Sequence, residues 1–149
     1  MDWRRIDWLW HSRGSIVLDP LVVGERVIDS VEARFKAWRR PVFRLGTTEV
    51  SFAGPLRHDP LDLAMFDRGR FWIETGSDGT ILRYELRSLY ALAACAVAGL
   101  LFSLHDALIG DFVGALEGSA MIFVWAYGGV RLFSYLRLPE FLAQAISDS

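Results

Sequence analysis

The chain has 149 residues, of which 52% are hydrophobic, with 16 basic and 18 acidic side chains and a mean hydropathy of +0.26. That length suits one small domain with an appendage, and the near-balanced charge argues against a surface built for nucleic-acid backbone, so no nucleic-acid partner is expected. A single cysteine, Cys95, excludes an intrachain disulfide framework and any CxxC metal or redox motif.

Composition is uneven along the chain. Residues 1–86 hold 13 of the basic and 13 of the acidic groups, whereas 87–149 hold only 3 and 5. The N-terminus, MDWRRIDWLWHSRG, interleaves charges with tryptophans and has no continuous apolar run, so no signal peptide is expected. Residues 1–14 read as a Trp/Arg-rich segment. Trp3, Trp8 and Trp10 either sit among lipid headgroups or complete the core of the following domain.

Residues 15–86 read as an α+β domain. Asp19-Pro20 signals a helix start, and Val23, Val27, Val31, Phe35 and Trp38 recur at helical spacing until Pro41. The period then changes to two. VFRL (42–45) and EVSF (49–52) flank Gly46-Thr47-Thr48, and FWIET (71–75) and TILRYEL (80–86) flank Gly76-Ser77-Asp78-Gly79. One amphipathic helix laid on an antiparallel sheet of about four strands is the expected fold, with SIVL (15–18) as a candidate fifth strand. Between the hairpins, Asp59-Pro60 suggests a further short helix.

Residues 87–138 read as a transmembrane helical hairpin, with spans at about 88–105 and 112–136, followed by a short tail, 139–149. Arg83, Arg87, Arg131 and Arg137 flank the spans, and the loop at 106–111 carries Asp106 and Asp111 without a basic residue. The positive-inside rule then places both termini in the cytoplasm of a bacterial inner membrane, with the loop outside. Small residues recur every fourth position: Ala91, Cys95, Gly99 and Ser103 in the first span, Gly110, Gly114 and Gly118 in the second. Such stripes allow close backbone approach, between the two helices or to a partner. Glu117 follows the second stripe and is expected near the helix contact.

Two helices with a glycine stripe and a carboxylate resemble the proton-carrying ring subunits of rotary ATPases in outline only. Glu117 lies near one end of its span, the loop differs, and an 86-residue segment precedes.

No nucleotide-binding glycine loop, Gly-x-Ser-x-Gly, HExxH or EF-hand pattern occurs. His58 and Asp62 supply two potential ligands, fewer than a metal site needs. The sequence therefore leads to a non-enzymatic protein with no cofactor, catalytic or metal site, acting as an accessory, assembly or stabilising subunit of a larger inner-membrane complex. Expected partners are the lipid bilayer and another membrane protein or a second copy. Alternatives are a membrane-surface sensor or lipid-binding module, and an oligomeric hairpin handling ions or protons through Glu117.

Overall fold

Alternation sorts the strands of the polar half into two faces, and the register makes those faces consistent across the sheet. The structure, a computed structural model, describes residues 9–54, 66–77, 79–108 and 112–148. Five strands, β1 (His11–Val17), β2 (Val42–Leu45), β3 (Glu49–Ala53), β4 (Arg68–Gly76) and β5 (Gly79–Arg87), form one antiparallel sheet in the order β1-β5-β4-β3-β2. The helices are α1 (Gly24–Ala37), α2 (Leu89–Leu108) and α3 (Phe112–Ser147). The α+β class stands, and the candidate fifth strand is present as β1.

Val50 pairs with Phe71, Phe71 with Tyr84, and Gly69 with Phe52 and Leu86, so these side chains share the inner face. Alternation in β5 sends Leu82, Tyr84 and Leu86 inward and Arg83, Glu85 and Arg87 outward. The β4–β5 turn closes on a Gly76–Gly79 pair, and Gly79 takes a φ of +117°, which a side chain would strain.

Helix α1 covers the inner face with Val27, Ile28, Val31 and Phe35, all fully buried. It begins later than the Asp19-Pro20 signal indicated. The Asp19 carboxylate accepts the Leu21 backbone N–H at 2.9 Å and its carbonyl accepts Val22 N–H, forming a turn that precedes the helix. The segment 55–65, with the expected short helix at Asp59-Pro60, lies outside the described residues.

Phe35 is the centre of an aromatic core. Its ring lies 4.4 Å from Phe52, 5.8 Å from Phe71 and 5.7 Å from Phe141, centroid to centroid. Phe141 belongs to α3, which runs unbroken from Phe112 through Pro139 to Ser147. Residues 139–147, read as a tail, thus form the end of a 36-residue helix. Proline inside a helix costs about 3 kcal/mol. Burial of Leu138, Phe141 and Leu142 offsets this, at about 1.5–3 kcal/mol for each large side chain. Arg34 of α1 reaches Gln144 at 3.1 Å and Asp148, fixing the same end of α3.

The transmembrane hairpin is overturned. Among the described residues no helix is long and apolar enough to cross a membrane. A span needs about 20 predominantly apolar residues. The apolar stretch of α2, Leu89–Leu104, has 16 residues before His105 and Asp106, and only 13 separate Glu117 from Arg131 in α3. In the structure Arg131 turns inward to the backbone of β1. The assignment to a bacterial inner membrane, with cytoplasmic termini and an outside loop at 106–111, is withdrawn with the hairpin that carried it.

Candidate functional site

Helices α2 and α3 pack along each other through small residues. On α2, Gly99 is buried and Ala91, Cys95, Ala96 and Ser103 are half-buried. A Cβ at Gly99 would stand 3.3 Å from the Ser119 carbonyl oxygen of α3, so the backbones approach closely there. The Ser103 hydroxyl donates to the Gly99 carbonyl at 3.1 Å, which satisfies it within its own helix. Gly114 and Gly118 are half-buried on α3, and Gly110 lies outside the described residues. Partial burial pushes the Cys95 thiol above its ordinary pKa.

Glu117 does not join this contact. It is exposed, beside exposed Leu116, while Gly118 and Ser119 are half-buried and Ser119 approaches Gly99 of α2. Gly128 and Gly129 are exposed as well, with open space where their side chains would be.

A polar junction fixes the helical pair to the sheet. Ser88, fully buried between β5 and α2, donates its backbone N–H to the Trp10 carbonyl at 2.8 Å, and its hydroxyl lies 3.1 Å from the Tyr127 hydroxyl. Arg131 donates to the carbonyls of Leu9 and His11, the latter at 2.9 Å, and to the Tyr127 hydroxyl at 3.1 Å. Tyr127 also donates to the Leu9 carbonyl. The Ser12 hydroxyl donates to Tyr135 at 3.4 Å and, with Arg131 beside it, holds that phenol below the usual tyrosine range.

The flanking arginines are all engaged within the chain. Arg83 pairs with Glu74 at 2.6 Å, Arg87 lies 3.6 Å from buried Asp67, and Arg137 pairs with Glu140 at 3.0 Å. Trp10 is half-buried, its ring 6.4 Å from that of His11, whereas Trp3 and Trp8 lie outside the described residues.

What the pair leaves uncovered defines the site. Of the 21 large apolar side chains exposed among the described residues, 16 lie on α2 and α3. Leu100, Leu104, Leu116, Val124 and Trp125 are 58–75% exposed. A monomer rarely exposes a contiguous apolar patch larger than a few hundred Å². Between the helices runs an open groove of about 330 Å³ lined by Ala96, Gly99, Leu100, Ser119, Ala120 and Phe123. The periodic count of small residues missed Ala96, Ser119 and Ala120, because it followed one register on each helix. Hydropathy did signal the exposed leucines, but it assigned them to lipid.

Among the described residues no three metal-ligating side chains come together, and His58 and Asp62 lie outside them. No family model, curated protein or solved structure matches the chain.

Proposed function

We propose that this chain is a non-catalytic accessory or assembly subunit, and that the outward faces of α2 and α3 receive apolar helices of a partner polypeptide. The concentration of exposed large apolar side chains on a pair of helices locked to a folded domain carries this reading. Burying one such Leu or Val contributes about 1.5–3 kcal/mol, so a few anchors around the groove suffice for a stable complex. The partner's contact face is apolar, to match the groove lined by Ala96, Gly99, Leu100, Ser119, Ala120 and Phe123. The Ser88–Tyr127–Arg131 junction holds the helices in one orientation, which lowers the ordering cost of association.

Site-specific photocrosslinking in the native cell tests this. A crosslinker at Leu100 or Val124 joins one dominant polypeptide, while a crosslinker at exposed Glu25 on α1 does not, and a Leu104→Glu substitution abolishes the Leu100 product. An adduct of twice 16.9 kDa would make the partner a second copy. Equal, diffuse labelling from all three positions rejects the proposal.

A further inference from the structure

The sheet has a second face, turned away from α1, and one row of its charges stands apart from the rest. Register aligns Ala53, Arg68, Arg87 and His11 in one row across β3, β4, β5 and β1. Two arginines are thus direct cross-strand neighbours, with a histidine beside them. Like charges placed directly opposite each other destabilise a sheet. In the adjoining rows of this face the sheet avoids that cost: Arg70 pairs with Glu49 at 2.6 Å, Arg13 with Glu85 at 2.7 Å and Arg83 with Glu74 at 2.6 Å.

In the Arg68–Arg87 row the pairing is incomplete, Arg87 alone having a carboxylate, Asp67, nearby. Arg68 is exposed and forms no ion pair among the described residues. Arg87 Nε is buried and has no hydrogen-bond acceptor among them, its nearest carboxylate, Asp67, standing at 3.6 Å. The row floors a pocket of about 310 Å³, whose walls include Ser51, Phe43 and Arg70. Glu85, also at its edge, is already committed to Arg13.

We propose that this pocket binds a phosphate-type oxyanion, with Arg68 and Arg87 as its principal donors. Guanidinium groups present planar forks of N–H donors that match phosphate oxygens bidentately. An anion lying across the two would relieve their mutual repulsion, meeting the part of the Arg87 side chain that is exposed, 33% of it, rather than the buried Nε. Ser51 and His11 flank the position, and Phe43, 57% exposed, offers an apolar wall to whatever carries the phosphate. The surface lies on the sheet, apart from the outer faces of α2 and α3, so it stands independently of the docking proposal.

Isothermal titration of the full chain at low ionic strength tests it, with glycerol phosphate as the soluble probe and chloride at equal ionic strength as the screening control. Vesicles of phosphatidylcholine with and without phosphatidic acid form a second arm. Saturable binding of either phosphate probe, weakened at least tenfold by Arg68→Gln and by Arg87→Gln but less than twofold by Arg83→Gln, supports the site. Binding confined to the phosphatidic acid vesicles places the phosphate on a lipid headgroup. Arg68→Gln alone decides the matter should Arg87→Gln fail to fold, since Arg68 is exposed. No saturable binding to either probe, or equal loss with Arg83→Gln, overturns the proposal.

Discussion

Arg131 of α3 donates to the backbone carbonyl of His11 in β1 at 2.9 Å, across 120 residues of sequence. A guanidinium with several donors thereby satisfies strand carbonyls at the end of the sheet and fixes the helical pair to it. Charge-assisted hydrogen bonds of this kind contribute about 1.5–3 kcal/mol. Arg131→Met is expected to lower the stability of the chain by about 2–3 kcal/mol in chemical denaturation. It should also raise amide exchange in β1 more than in β3. Arg131→Lys, lacking the planar fork, should fall between the two. Unchanged exchange in β1 would remove the junction from this account.

Phe141 closes the aromatic core from the far end of α3. Removing a buried phenylalanine costs about 3–5 kcal/mol, through lost burial and the cavity it leaves. Phe141→Ala is expected to lose that amount, and Phe141→Leu to lose well under half of it. Near-ultraviolet circular dichroism should report the change in packing around Phe35 and Trp38, whose rings lie 5.7 and 5.5 Å from that of Phe141.

Gly69 is required by packing. A Cβ there would meet the Phe52 ring at 2.2 Å and the Leu86 side chain at 2.7 Å. Gly69→Ala is expected to destabilise by about 1–3 kcal/mol, the range for overpacking a filled core. Phe52→Leu in the same chain should recover part of the loss, because a smaller side chain vacates the contact. A Gly69→Ala chain as stable as the parent would contradict the placement of Phe52.

Glu32 gives the fold an acid-sensitive element. Its side chain, 12% exposed, accepts from Lys36 and Arg44, and the Lys36 ammonium chiefly holds its carboxyl below the ordinary value of 4.5. A carboxylate with a depressed folded pKa stabilises fully above its unfolded pKa, and that contribution disappears as pH falls through the folded value. Denaturation midpoints should therefore drop between pH 6 and pH 3. Glu32→Gln should be less stable than the parent at pH 6 and lose less on acidification. Parallel pH profiles for the two chains would show that the ion pair has no part in acid sensitivity.

Much of the sheet was legible because period-two alternation is local. TILRYEL sorts its own side chains, and the glycines at 76 and 79 mark the turn. The start of α1 was misplaced because Asp19 has two uses, helix cap or turn, and its carboxylate serves the turn. Hydropathy identified α2 and α3 as apolar but could not tell which surface would cover them. It separated Phe141 and Leu142 from the core because the apolar run was ended at about 136 and residues 139–149 were read as a tail. Arg131 looked like a flanking charge because its acceptors are backbone carbonyls, which carry no sequence signal. The Arg68–Arg87 row was invisible for a different reason: only the strand register brings those two residues side by side.

The placement of Phe141 also sets an order of events during synthesis. The last strand ends at Arg87, and 54 further residues (141 − 87) must emerge before the ring that completes the core is available. Chains fold from the N-terminal side as they are made. The nascent sheet and α1 therefore wait with Phe35 and Phe71 incompletely covered. During that interval the chain's own C-terminal turns cannot shield them.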